Sequence, residues 1–417
     1  MVFNCKKVYL MILFIIGDNM KENLTSIKKF FKISDEDVLM IVLAFFCFSM
    51  GIWINYRQLW LQDIVGFNLK EISNIISVAL ICSSIISFVI SLFSTKVRTK
   101  NVIIMSMLFR CLALAALFRV SDKYLIKTFM LLSIMCETIF SIAFYPLITT
   151  VNKSEETYRK HALISYVAKD AAVVFCGLLL GVTVGKIIFD LNTCLFIALI
   201  SNILGTILLL LFETDKVYQK NKILPLKKAF KKLFESKSNN WYLFTLFIVN
   251  ISYGMIFGLV MLILTTYIGF EISFASIFII VSNIIGSVLC SYFNNHCSKI
   301  SVRVSVLIKY GIRCLSYFVA FFSNNIPMFI MSIIIAYITS RIFEDKVTGT
   351  YVRRIKTDSQ FLFGNIRYFI SCIGEGLGIY LAGCLLNYQF KYLFLGAAVF
   401  TLIQILFHFE LDSIKEK

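Results

Sequence analysis

Of the ionisable residues inside long apolar runs, seven stand out: Arg57, Arg110, Glu137, Asp170, Arg313, Arg367 and Glu375. At the centre of a lipid-spanning helix such a charge costs roughly 2.5–3.5 kcal/mol, so each needs a counter-charge or a wet cavity. A carboxylate there, such as Glu137 or Glu375, can bind a cation or exchange a proton. Arginine offers a bidentate fork to an anion, and rings beside it offer stacking. Arg57 has that company in Trp53, Tyr56 and Trp60, which share its helical face. The group could cradle an anionic or aromatic solute; the plainer reading is an interfacial aromatic belt with a snorkelling arginine. Asn250 and Tyr253 make a second, smaller polar pair.

Spacing narrows the roles. Arg110 and Glu137 are nearly equidistant from the turn at 120–125, which predicts them at one depth on consecutive antiparallel helices. A structural ion pair explains both as readily as a role in transport. Arg313 has no acid at the matching depth of the following run, so its partner is open, Glu375 being one choice. Tyr166, Asp170, Val173 and Gly177 form one stripe, with Asp170 about 12 Å from the nearer helix end at 1.5 Å per residue. Arg367, Ser371 and Glu375 follow i, i+4, i+8, a polar stripe that can face a solute path or, at Arg367, a lipid phosphate.

Other chemistry finds no support. The histidines, His161, His296 and His408, are far apart and none sits in HExxH spacing. The twelve cysteines lie mostly in apolar runs without a CxxC pair, as cysteine used for a small hydrophobe does. No phosphate-binding glycine loop is present. An enzyme, a metal centre and a cofactor are therefore not expected.

The elements that must position these charges are membrane helices. The 417 residues are 59% hydrophobic and 16% charged, too little charge to cover a soluble protein of this size. Apolar runs of the needed ~20 residues fall near 38–60, 72–94, 101–119, 125–151, 162–185 and 188–212, then near 241–267, 273–293, 302–322, 326–343, 361–387 and 390–409. The prediction is an all-α membrane protein of about twelve transmembrane helices. It divides into an N-terminal segment (1–37), a six-helix half (38–212), a basic linker (213–240), a second half (241–410) and a tail (411–417).

Lysine and arginine set the orientation. If the segment before Val38 is cytoplasmic, the inside loops hold Lys96, Arg98 and Lys100; Lys153, Arg159 and Lys160; eight lysines from Lys216 to Lys237; Lys299 and Arg303; and Arg341 to Lys356. The outside loops hold few. Both termini are then cytoplasmic, and the net charge of +17 is a topology signal rather than a nucleic-acid footprint. Val8–Ile16 after Lys6 and Lys7 imitates a short signal peptide without a cleavage site. An over-extended start, with Met20 as the true one, or a peripheral segment is the favoured reading.

The halves repeat. An offset of 203 residues places Ser49 and Gly51 on Ser252 and Gly254, Gly66-Phe67 on Gly269-Phe270, Ser73 on Ser276, Ser84 on Ser287, Lys96 on Lys299, and Arg110-Cys111-Leu112 on Arg313-Cys314-Leu315. Parallel repeats of this kind surround a site at the bilayer midplane in transporters.

Twelve helices in two halves joined by a basic loop resemble the major facilitator superfamily over about Asp37–Glu410. The loop from Ser91 to Lys100 keeps the basic positions Lys96 and Lys100 of the superfamily's G-x-x-x-D-R-x-G-R-[RK] signature, with Ser91 and Thr95 in place of Gly and Asp; the second copy keeps Lys299 and Arg303. The Gly177, Gly181, Gly185 run weakly resembles a fifth-helix motif of drug/proton antiporters and reads more simply as a close-packing face. The resemblance implies helices 1, 4, 7 and 10 around a cavity, with 2, 5, 8 and 11 between the halves. It also implies alternating access of a small solute, with protons or other ions as coupling partners, in a monomer. The resulting pathway candidates are Tyr56, Arg57, Glu137, Asp170, Asn250, Tyr253, Arg367 and Glu375. Arg110, Arg313, Lys96, Lys100 and Lys299 are candidates for structural or gating roles. A lipid or polyisoprenoid flippase on the same fold is the alternative. The Ile-, Phe-, Lys- and Asn-rich alphabet points to an AT-rich bacterial source.

Overall fold

The computed structural model describes residues 34–93, 99–151, 155–180, 182–184, 187–210, 234–296, 300–343, 347 and 360–413. The Val8–Ile16 run, Met20, Lys96, Lys299, Gly181, Gly185 and most of the basic linker lie outside them. The helices are α1 (Asp35–Leu59), α2 (Leu69–Phe93), α3 (Thr99–Leu117), α4 (Lys123–Val151), α5 (Glu155–Leu179) and α6 (Leu191–Leu210), then α7 (Lys237–Phe257), α8 (Ile272–His296), α9, α10 (Ile326–Arg341), α11 (Gln360–Leu386) and α12 (Phe390–Ser413). Helix α9 is composite, running Val302–Val306, a π-turn at Leu307–Gly311, then Ile312–Ser323. Ten of the described helical stretches are long and apolar enough to cross a membrane. Helix α10 is shorter, and α5 carries Lys169 and Asp170 in mid-run.

Local chemistry explains the starts. Ser34 and Asp37 form a reciprocal capping box on α1, and Asn68 with Glu71 does the same before α2. Asp122 caps α4 through the Tyr124 and Leu125 amides, and proline at the first turn of α10 gives up an amide that has no helical partner there.

One expectation fails locally. The fifth run was expected to stay helical to residue 185, but α5 ends at Leu179 and a two-residue antiparallel hairpin pairs Thr183–Val184 with Ile187–Ile188. The stretch is β-branched, which lowers helix propensity and favours extended pairing.

The repeat is visible in the backbone. Helix α1 ends in a π-turn at Trp60–Ile64, and α7 continues through Val260–Leu262 into a π-turn at Ile263–Tyr267, 203 residues on (263 − 60). Each π-turn is followed by a glycine with positive φ, 73° at Gly66 and 84° at Gly269, a conformation glycine adopts without a Cβ clash. The next amides close the turns alike, Phe67 onto the Leu61 carbonyl and Phe270 onto the Leu264 carbonyl. Ser49 donates to the Ala198 carbonyl on α6 at 2.6 Å; its copy Ser252 reaches the Ala397 carbonyl and Thr401 on α12.

The halves meet where α2 packs on α11 and α5 on α8. Glycines set these distances: a Cβ on Gly177 would lie 2.5 Å from the Ser276 Cβ, one on Gly376 3.1 Å from the Ser77 carbonyl oxygen, and one on Gly383 would strike Ser73. Within the second half, Gly254 and Gly378 let α7 and α11 approach backbone to backbone.

The apolar core is divided in the first half. Leu39, Phe46, Ile103, Met107, Phe140 and Phe144 form one cluster. Trp53, Trp60, Leu114, Leu117, Met130 and Leu195 belong to another, which continues through the second half. The layer between them on α1, α3, α4 and α6 is polar, and it holds the charges.

Candidate functional site

That layer is centred on Glu137. Arg110 donates from Nη2 to Glu137 Oε1 at 3.0 Å and from Nε at 3.3 Å, while its Nη1 reaches Ser49 Oγ at 2.6 Å and Asn202 Oδ1 at 3.1 Å. The guanidinium also lies 5.2 Å from the centre of the Phe46 ring. Asn202 is held in turn by its amide on the Met107 carbonyl at 3.0 Å. Arg57, from α1, approaches the other carboxylate oxygen of Glu137 at 3.5 Å. All three charged side chains are buried. One carboxylate thus holds two arginines, and Arg57 is the looser of them: its Nε is among the buried polar atoms without a hydrogen-bond partner in the described residues.

Arg57 also lies in the field of a second carboxylate, Glu375 on α11 of the other half, and Glu375 in turn feels Arg57 and Lys169.

The equivalent layer of the second half is neutral on the acid side. Arg313 donates from Nε to Thr339 Oγ1 at 2.8 Å and from Nη2 to the Ala336 carbonyl at 3.4 Å, with its guanidinium 5.6 Å from the Tyr310 ring centre. Thr339 accepts from the Arg313 Nε as Glu137 accepts from the Arg110 Nε, although the offset-203 counterpart of Glu137 is Ser340. The suggested Glu375 partner is not what holds Arg313; neutral oxygens do.

Three hydrogen bonds join the halves on the side of the α1–α2 turn. Tyr56 Oη, buried, shares a hydrogen bond with Ser276 Oγ on α8 at 2.8 Å and donates to the Val173 carbonyl at 2.7 Å. Gln58 donates to the Gly258 carbonyl at 2.6 Å, and Thr266 to Gln62 Oε1 at 3.3 Å. Toward the opposite end, Arg341 lies 4.5 Å over the Tyr166 ring, and the Phe88 and Phe369 rings meet at a tilt, 5.2 Å apart. The halves are thus joined by hydrogen bonds at the α1–α2 turn end and by ring contacts at the other.

The remaining candidates divide. The Trp53, Tyr56, Trp60 face is packed into the protein: Trp53 lies 5.9 Å from Trp60, whose Nε1 donates to Asn192 at 2.9 Å. Asn250 donates to its own helix at the Leu246 carbonyl, 2.7 Å, and its Cβ stands against Gly374. Tyr253 is 39% exposed and stacks on Phe257 at 4.5 Å, and Phe257 meets Tyr337 of α10 edge-on at 4.7 Å. Asp170 is half-buried and feels Arg341 and Lys169. Arg367 is half-buried in the early part of α11, and Lys100 in the first turn of α3. Lys96 and Lys299 lie outside the described residues.

Sequence reasoning missed Lys309 and Asn202. Lys309 is the offset-203 counterpart of Ser106, is buried, and donates to the Ser340 carbonyl at 3.2 Å. A lysine within an apolar run, and an asparagine in mid-α6, were the available signals. Gln58 and Ser276 are polar residues inside apolar runs too, but nothing in either run shows that they meet the other half.

Comparison with known proteins agrees with this architecture. Residues 38–343 match the sequence profile of the Major Facilitator Superfamily, and the chain belongs to that family of multi-pass membrane transporters. The crystal structure of the nucleoside transporter NupG superposes with a TM-score of 0.71 at 13% identity, covering 92% of this chain and all of that one. A bacterial homologue of the human lysosomal transporter Spinster, inward-facing and unoccupied, gives 0.72 at 12% identity over 91% of this chain and 96% of that one. A bacterial metal transporter gives 0.63 at 13% identity over 92% and 99%. At these identities the likeness establishes the fold alone. No curated protein sequence matches.

Proposed function

We propose that the protein is a secondary transporter that carries a small solute across a bacterial cytoplasmic membrane by alternating access, with proton exchange at Glu375 as the coupling step. The halves 38–212 and 241–410 are the moving bodies, and the basic linker 213–240 and both termini lie in the cytoplasm by the charge asymmetry of the loops.

The observation that carries the reading is the position of Arg57. It is held at 3.5 Å by Glu137, which Arg110 already binds at 3.0 Å, and it lies in the field of Glu375 across the divide. The charged and titratable groups around Glu375 are Arg57 on α1, Lys169 on α5, Tyr253 on α7, and Tyr368 and Cys372 on its own helix. A proton on Glu375 cancels its attraction for Arg57, which then falls to Glu137 alone. Rocking that separates α1 from α11 thereby becomes cheaper in the protonated state, and this is differential stabilisation of two states by one ligand. Arg110, Arg313 and Lys100 hold structure, with Lys96 and Lys299 as loop gates.

The test uses the whole chain in proteoliposomes loaded with a pH-sensitive dye, offered an aromatic carboxylate, a nucleoside and a divalent metal ion in turn. A solute-driven proton flux is expected with one of them, lost in Glu375→Gln while solute counterflow persists. An unchanged proton flux in Glu375→Gln overturns the coupling role. Flux no greater than in empty vesicles for every solute overturns the transport reading for these classes.

A further inference from the structure

A wall of rings and one arginine lines the space between the halves. Tyr253 stacks on Phe257 at 4.5 Å, and Phe257 meets Tyr337 edge-on at 4.7 Å. From the other half, Tyr166 offers its face to Arg341 at 4.5 Å. Tyr166 and Tyr253 are 51% and 39% exposed although both sit well inside their helices. The Tyr166 ring lies against an arginine of the opposite half, which turns it toward the divide.

Among the described residues the charges nearby do not cancel: Arg57, Arg110, Lys169, Arg313 and Arg341 stand against Glu137, Asp170 and Glu375, and five minus three leaves two positive charges in excess. Arg313 spends its hydrogen bonds on neutral oxygens. An excess cation in a low-dielectric interior is costly, and a solute of opposite charge removes the cost. Arginine over an aromatic face suits a planar anion, with the fork for its carboxylate and the rings for its π-system.

We propose that Tyr166, Tyr253, Phe257, Tyr337 and Arg341 form the solute subsite, and that its ligand is a small planar organic anion, an aromatic carboxylate. This rests on the transport reading above only for its physiological use; the binding itself is independent. Arg341 engages the carboxylate, and Tyr253 with Phe257 stacks on the ring. One net negative charge enters with the ligand and halves the interior excess.

The experiment measures binding by thermal stabilisation of the purified full-length protein in detergent. The probes are 2-naphthoate, its neutral alcohol, the matching naphthyl amine cation, and cyclohexanecarboxylate. We expect 2-naphthoate to stabilise most, with affinity at least tenfold above the alcohol and above cyclohexanecarboxylate. Arg341→Gln and Tyr253→Leu should each weaken it tenfold or more, and Arg341→Lys less. If Arg341→Gln fails to fold, Tyr166→Leu and Tyr253→Leu carry the test. Equal or tighter binding of the amine or the alcohol overturns the anion assignment, and equal binding of cyclohexanecarboxylate overturns the aromatic subsite. Naphthoate that binds with this selectivity but is not moved in proteoliposomes leaves the subsite standing and counts against transport. Flux of a different solute class with no naphthoate binding does the reverse.

Discussion

Arg313 donates from Nε to Thr339 Oγ1 at 2.8 Å, at the place where Arg110 of the other half binds Glu137. The same arginine is thus kept in both halves while its partner is an acid in one and a hydroxyl in the other. In the first half the carboxylate also holds a second buried arginine, Arg57. The polar layer that results splits the first half's core, whereas the second half's core runs through unbroken.

Removing that carboxylate should be severe. Glu137→Leu leaves two buried guanidiniums without their acid, and breaking a buried pair from one side costs about 3–5 kcal/mol. Thermal unfolding in detergent should show a large fall in midpoint or no monodisperse protein. The double change Arg110→Leu with Glu137→Leu should cost less than the sum of the single changes. An additive double mutant would mean the two side chains do not interact.

The helix contacts at α7–α11 predict a graded glycine series. A methyl at Gly254 or Gly378 runs into the backbone of the facing helix, at the Glu375 and Ile251 carbonyls respectively, and overpacking of this kind costs about 1–3 kcal/mol. Gly311→Ala, where nothing lies within 4 Å of the added atom, should be neutral or slightly stabilising. Melting midpoints of the three variants should separate in that order.

The hydrogen-bonded end must open if access alternates. Gln62 and Thr266 face each other there at 3.3 Å. A Gln62→Cys, Thr266→Cys pair oxidised across the divide should abolish flux, and reduction should restore it. Full flux in a completely cross-linked sample would show that this end never needs to part. Tyr56→Phe, which loses the Ser276 and Val173 bonds, should shift the balance toward opening by about 0.5–1.5 kcal/mol, up to roughly tenfold in population.

Acid sensitivity should appear at the start of α6. Partial burial alone would raise the Asp190 carboxyl, but the Thr193 amide and hydroxyl and the Asn192 amide donate to it and hold it below the usual carboxylate range. A depressed carboxylate contributes stability above its unfolded pKa, and that contribution is lost as pH falls through the folded value. Asp190→Ala should cost about 0.5–2 kcal/mol at neutral pH as a lost N-cap, and its melting midpoint should converge on wild type in strong acid. A constant difference across that range would place the effect elsewhere.

The sequence by itself determined the twelve helices, the two halves and the meeting of Arg110 with Glu137. Each follows from local quantities: apolar run length, an offset that carries Gly66 onto Gly269, and equal distances from one turn. It also marked Tyr253 and Glu375 as polar groups in apolar helices, though not what they face. Only the tertiary structure decided that Thr339 replaces an acid, that Trp53 and Trp60 pack inward, that Tyr56 reaches Ser276, and that Arg341 lies on Tyr166. These contacts join residues on different helices, many of them in different halves. Helix rotation and packing distance set them, through glycines such as Gly177 and Gly383, and neither quantity is written in the periodicity of a single segment.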